Sequence, residues 1–352
     1  MILSKRMMAV LLLVLTMLAG CGERVGEGPK EETSVQEGEA VSPGSVDDQE
    51  TAEPDAQETE GGTTDMIEPE QLAASLLAGE YERIYNQMSE DMQEVVSRED
   101  FESTAKSFTA GVQAFHPESV VKLNGAERFV WLDDTRTKGV LAAFGPDGLI
   151  EGLQVLPLET FPETDGQLTE QRYALPFKGH WFVFWGGTNV MTNYHYAYES
   201  QRYAFDFVKA RNGMSYEGDP QLNESYFAFG QDVLAAADGE VVGVVNDVKD
   251  NKPLVETNEN EPAGNYVVID HGGGEYSITA HFRQGSIAVR EGDRVRKGDL
   301  LGQAGNSGNS SEPHIHFQIS DSPDLMTGKS LNVKWDGGFN IVQGETVEGA
   351  QD

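Results

Sequence analysis

Gly264-Asn-Tyr-Val-Val-Ile-Asp-His-Gly-Gly-Gly-Glu-Tyr-Ser-Ile-Thr-Ala-His-Phe282 sets the class of the C-terminal half of this chain. Two β-prone runs, Tyr266 to Asp270 and Tyr276 to Phe282, flank the triple glycine at 272–274, the composition of a hairpin turn. In the second run Ser277-Ile-Thr-Ala-His281 alternates, which puts His281 on the opposite face from Ile278 and Ala280. Outward from the hairpin, Val233 to Ala237, Glu240 to Val245 and Leu300 to Ala304 read as further strands between glycine turns. Pro313-His314-Ile315-His316 adds a strand on which both imidazoles share one face while Ile315 takes the core. Two strands thus direct three imidazoles into one groove. A carboxylate and another histidine from a loop would complete a zinc site of three protein ligands with one open position.

The N-terminal part differs in texture. Leu72, Leu76, Leu77, Tyr81, Ile84, Tyr85 and Met88 recur at helical spacing, with Gly79 weakening or splitting the helix. Ser97 and Asp100 form an N-cap pair for a second helix through Phe108. Strands follow at Val120–Leu123, Phe129–Leu132, Val140–Phe144 and Leu149–Val155, the last two joined by a Gly145-Pro-Asp-Gly148 turn. Helices followed by an antiparallel sheet make a small α+β domain over residues 66–158. Tyr85, Phe101, Phe115 and Trp131 read as core aromatics there, and His116 beside Pro117 as a surface residue. A polar linker covers 159–170, the mainly β domain of antiparallel sheet 171–340, and a tail 341–352.

Composition bounds the function. A formal net charge of −34 over 352 residues repels nucleic acid and anionic membrane surfaces, which excludes both as direct partners. The single cysteine, Cys21, excludes an intramolecular disulfide and any cysteine-rich zinc cluster. Lys5 and Arg6 precede an apolar run from Met7 to Leu18 that is too short to span a bilayer, so residues 1–20 read as a signal peptide. Residues 21–65 are acidic and poor in apolar side chains, an unfolded tether reaching roughly 35–40 Å.

Three resemblances add to this reading. Leu18-Ala-Gly-Cys21 resembles the lipobox of bacterial lipoproteins, which implies lipidation of Cys21 and anchoring on the extracytoplasmic face of the membrane, facing the cell wall. Residues 66–158, with their Asp147-Gly-Leu-Ile-Glu-Gly-Leu153 ending, resemble NTF2-like accessory domains of envelope proteins. Phe229 to Val242, Gly264 to Gly274, Ile278 to Phe282, Val289 to Gly302, Gly305-Asn-Ser-Gly308 and Pro313 to Phe317 together resemble the lysostaphin-type, LytM-like zinc endopeptidases. The last resemblance implies a duplicated-hybrid-motif-like groove, Zn²⁺ as cofactor and peptidoglycan peptides as substrates. It also implies His316 as a metal ligand and His281 and His314 as catalytic residues.

The remaining ligands depart from the family pattern of a histidine four residues before an aspartate. Tyr203-Ala-Phe-Asp206-Phe207 supplies the aspartate, but Arg202 stands where the histidine belongs. His195 is the nearest upstream histidine, so His195 and Asp206 are expected to bind the metal from a loop, with Glu199 as the rival carboxylate. His180 and His271 read as structural. The implied activity is hydrolysis of stem peptides or crossbridges, a glycine-walled groove suiting slender D-Ala or glycine-containing peptides. A module that has lost catalysis and binds wall or activates other hydrolases is the alternative, and a regulatory envelope partner stays open. A biotinyl-type carrier lacks its lysine hairpin and has no use for His-x-His.

Overall fold

The structure, a computed structural model, describes residues 66–338 and 340–351. Residues 1–65, read in the sequence as a signal peptide, Cys21 and a tether, lie outside the described residues. Among those described, no helix is long and apolar enough to cross a membrane.

The N-terminal segment begins with four short helices, α1 (Leu72–Ala78), α2 (Tyr81–Asn86), α3 (Glu90–Val95) and α4 (Arg98–Thr109). Gly79 ends α1 in the left-handed region at φ 81° and splits the helical run into two. Ser89 caps α3, a helix its sequence did not advertise, and the Ser97 hydroxyl accepts from Asp100 N at the start of α4. Strands β1 (Phe115–Leu123), β2 (Ala126–Asp133), β3 (Lys138–Phe144) and β4 (Ile150–Pro157) form an antiparallel meander. β1 starts five residues earlier than its apolar pattern suggests (Phe115 against Val120), with Pro117 tolerated beside a register shift on this edge strand. The helices cover one sheet face, where Leu72, Leu76, Ile84, Phe101, Trp131 and Phe144 are buried together and Tyr85 and Phe115 pack against them. His116 is exposed, 2.8 Å from Asp134.

After a single turn of helix, α5 (Pro162–Asp165), the chain becomes β. Its strands are β5 (His180–Trp185), β6 (Phe205–Val208), β7 (Asp232–Leu234), β8 (Gly239–Val245), β9 (Asn265–Asp270) and β10 (Tyr276–Phe282). There follow β11 (Arg294–Val295), β12 (Leu300–Gln303), β13 (Ile315–Ser320), β14 (Ser330–Leu331) and β15 (Thr346–Glu348). The main sheet has the order β11-β8-β9-β10-β13-β6-β5-β15, with β14 beside β13, and β12 pairs with β7 apart from it. Every pairing is antiparallel. Thr346–Glu348, in the stretch read as the tail, thus completes one edge of the sheet.

Period-two alternation divides the sheet. Phe205 and Phe207 on β6 pair with Phe317 and Ile315 on β13 and are buried with Trp335 and Tyr173 in the core. Asp206, between them, pairs with His316, which in turn pairs with Ala280 on β10. The core face is therefore aromatic and the opposite face carries the polar cluster.

One close approach fixes the far side of that cluster. Gly264 sits at φ 59° against the Ser307 backbone, where a Cβ would collide, and Gly308 at φ 82° meets Gly264 in turn. Only glycine meets both demands. We expect Gly264→Ala to cost about 2 kcal/mol or more from the left-handed backbone and the collision, measured by urea unfolding at neutral pH; an unchanged midpoint would contradict this packing.

Candidate metal centre

Nδ1 of His316 lies 2.9 Å from Asp206 Oδ1, and Nε2 of His195 lies 3.6 Å from Asp206 Oδ2. One ligand atom from each of these three residues falls within 4.8 Å of the others, and all three side chains are buried. His314 Nε2 is 3.7 Å from the same carboxylate, and the His281 ring stands 4.6 Å from that of His314. The five residues singled out in the sequence thus converge.

Their supports differ from the sequence expectation. Asp206 is not on a loop: it is the central polar residue of β6, flanked by core phenylalanines. His195 sits on a 3-10 turn, Tyr194–Ala197, and is 1% exposed. Glu199 points away, in an exposed ion pair 3.0 Å from Lys329. Arg202, at the family's histidine position, is also turned away. Its guanidinium stacks 3.4 Å from the Phe161 ring centre and Nε donates to the Tyr196 carbonyl. His271 bridges the Asp238 carbonyl and Ser277 hydroxyl, and His180 is exposed near Glu348.

His281 corrects a second expectation. Strict alternation would place it with Thr279, whose partners Val267 and Phe317 belong to the core. Instead His281 has φ 63°, and the β9–β10 register shifts between Thr279 and Phe282. The left-handed residue turns the imidazole to the face of Ile278 and Ala280, with which it lines the groove. The cost of that backbone, about 1–3 kcal/mol, is met by fixed partners: His281 N donates to the Ala263 carbonyl and Nδ1 to that of Ser307 at 2.8 Å.

Neighbouring acceptors define each tautomer. The Asn193 amide nitrogen donates to the carbonyls of Gly187, Arg202 and Ala204, so its oxygen must be the acceptor, 2.9 Å from His195 Nδ1. His195 therefore presents a bare Nε2 to Asp206. Gln318 Nε2 donates to the Ser200 carbonyl, which leaves its oxygen to accept from His316 Nε2 at 3.1 Å and aims Nδ1 at the site. His281 and His314 each give Nδ1–H to a carbonyl, Ser307 and Glu312, and keep Nε2 free as a proton acceptor. Asn193 and Gln318 went unnoticed in the sequence, although Gln318 continues the 314, 316 face by one more step.

Burial pulls His195 down to about 3 despite Asp206, and holds His281 well below the ordinary imidazole value. Burial would raise Asp206, but the facing imidazoles outweigh it and keep the carboxyl below the usual range. His316 is raised: its hydrogen bond to Asp206 overcomes desolvation.

The groove beside the cluster has a volume of about 630 Å³. Val245, Tyr266, Ile278, Leu325 and Met326 form much of its wall, with Gly264 as the glycine among the lining residues, so it is apolar rather than glycine-walled. Gln201, Gln318 and Glu261 supply polar points along it.

Residues 225–332 match the model of Peptidase family M23. That stretch contains His281, His314 and His316; His195 and Asp206 precede it. Peptidoglycan DD-endopeptidase ShyA of Vibrio cholerae is 36% identical over 79 residues, 22% of this chain and 17% of the relative. Cell division protein DipM of Caulobacter vibrioides is 30% identical over 96 residues, 27% of this chain and 14% of that one. The chain thus spans under a fifth of the length of these curated relatives. The solved catalytic domain of lysostaphin from Staphylococcus simulans is 19% identical, with 49% of this chain and 95% of that one covered at a TM-score of 0.24. Over residues 225–332 the C-terminal β region is thus similar to M23 peptidases.

Two outcomes follow. Asn193→Ala removes the acceptor for His195 Nδ1–H, and zinc affinity should drop about 10–100-fold, read by chelator competition. Metal-free protein should lose stability on acidification. His195 and His281 have folded pKa values below the unfolded 6.5, so the unfolded chain binds the extra protons as pH falls from about 6.5 towards about 3. His316 acts in the opposite sense, its stabilisation being lost as pH rises through its raised value. Below 6.5 His316 is protonated in both states and drops out, and Glu312, raised to about 7 by burial, opposes the two imidazoles only down to its ordinary 4.5; below that, His281→Asn should flatten the slope of urea-unfolding free energy by up to about 1.4 kcal/mol per pH unit.

Proposed function

We propose that this protein is a zinc-dependent endopeptidase hydrolysing peptide bonds in peptidoglycan stem peptides or crossbridges. The supporting observation is the convergence of His195, Asp206 and His316 at the wall of an open groove, with two more imidazoles whose Nε2 atoms are free. Two imidazoles and a carboxylate are a donor set that suits zinc, and each imidazole has its other nitrogen held by an amide oxygen. These three residues would hold the ion, which when bound supplies Lewis acidity to water and to a substrate carbonyl.

The chain's own groups do the rest. His281 Nε2 and His314 Nε2 are the bases placed to take the proton of the attacking water and return it to the leaving nitrogen. Burial, with the His314 ring 4.6 Å away, disfavours a lasting proton on His281, which suits it to pass one on. The groove, between the sheet and the 323–326 segment, takes an extended peptide and excludes water with its apolar wall. The name of ShyA supports a peptidoglycan substrate, and the lipobox-like Cys21 with its tether supports a position under the wall.

His195→Ala and Asp206→Ala should each remove zinc and abolish cleavage of purified wall, while Glu199→Ala changes neither. Both ligands are buried, so these substitutions also cost stability and circular dichroism must accompany the assay. His281→Ala should keep zinc but lower turnover by roughly two to four orders of magnitude. A wild type that takes up zinc but cleaves neither glycine-bridged nor directly cross-linked wall would favour the binding module; one without zinc would end the enzyme reading.

A further inference from the structure

His195 stands eleven positions before Asp206, so neither a shared strand nor short spacing fixes one against the other. The loop that delivers His195, Gly186 to Asn193, is instead docked on the N-terminal sheet. Met191 is 2% exposed and inserted among Val130, Leu132, Leu141 and Leu158, and a Cβ at Gly139 on β3 would collide with its sulfur. Asn189 ties the loop to itself and outward: its oxygen accepts from Met191 N and Thr192 N, and its amide donates to Glu118 on β1 at 3.2 Å. A ring stack runs alongside. The Arg128 guanidinium lies 4.6 Å over Trp185, Trp185 meets Tyr194 edge-on at 5.3 Å, and Tyr194 covers His195 at 4.0 Å. Arg128 is buried, and among the described residues its Nε and Nη2 have no hydrogen-bond partner, while its guanidinium face rests on Trp185. Beyond His195 the return path is pinned the same way: Tyr196 and Tyr203 donate to Asp165, and Phe161 stacks on Arg202.

We propose that the outer face of the N-terminal sheet is a positioning platform for His195, with Met191 as the positioning residue that registers the loop. The N-terminal segment then sets the metal affinity of a site whose chemistry lies wholly beyond it. This rests on the zinc reading above. Contacts elsewhere on that sheet, Val121 and Leu123 against Phe182 and Val208 and Asn124 against Ser215, join the two parts without touching a ligand-bearing loop, whereas Met191 and Asn189 fix the one that carries His195.

Zinc affinity of the full chain, measured by chelator competition well below the unfolding midpoint, separates the two. Met191→Ala should weaken zinc binding about tenfold or more, and Met191→Leu should restore it. Gly139→Ala, whose methyl displaces the Met191 sulfur, should give the same loss and serves where Met191→Ala does not fold. Leu153→Ala, in the core under the helices, should lower the midpoint without changing zinc affinity. Equal zinc affinity in wild type, Met191→Ala and Gly139→Ala overturns the platform, as does an equal loss in Leu153→Ala. A wild type without zinc overturns the metal reading itself, and the platform with it.

Discussion

A single buried carboxylate organises this structure. Asp206 is 4% exposed and faces three imidazoles from two segments of the chain: His195 on the 3-10 turn, and His314 and His316 at the start of β13. An isolated carboxylate at that depth would cost several kcal/mol. Its neighbours reverse the sign, and the alternation of β6 requires the arrangement. With Phe205 and Phe207 committed to the core, Asp206 has no other face to occupy. The aromatic packing and the polar cluster are thus two sides of one strand, and neither can slip in register without inverting the other.

How much of this was legible depended on whether a rule of local geometry applied. The hairpin around 272–274 and the His-x-His strand obey period two, and the positions of Ile315 and His316 follow from it. His281 was placed in the right groove by an argument that fails in detail, because a left-handed residue in a strand leaves no trace in the pattern of apolar side chains. β6 is only four residues long, too short for its Phe205-Asp206-Phe207 alternation to announce a strand, and Asp206 looked like a loop residue. Asn193 and Gln318 were invisible for a different reason: their importance lies in which atoms their amides satisfy, a property of the assembled site. The N-terminal helices show the same boundary between local and tertiary signals. Ser97 announced α4, whereas at Gly79 the sequence left weakening and splitting open and tertiary packing chose the split.

The stretch read as a linker illustrates how polar composition can mislead. Phe161 and Asp165 engage Arg202, Tyr196 and Tyr203, so a sequence poor in apolar residues is still fixed by stacking and hydroxyl–carboxylate bonds. The stabilisation is specific rather than extensive. Hydrogen bonds to charged groups contribute about 1.5–3 kcal/mol each, enough to hold a short segment without a hydrophobic core of its own.

The two ends of the main sheet differ from its centre in length as well as content. At one end β11 offers two residues, one of them Arg294, which reaches back to Glu240; at the other β15 offers three and ends in Glu348. A strand approaching either border would find few backbone groups to pair with and a charge to bury. The wide sheet is thereby kept from growing by accretion at these two borders.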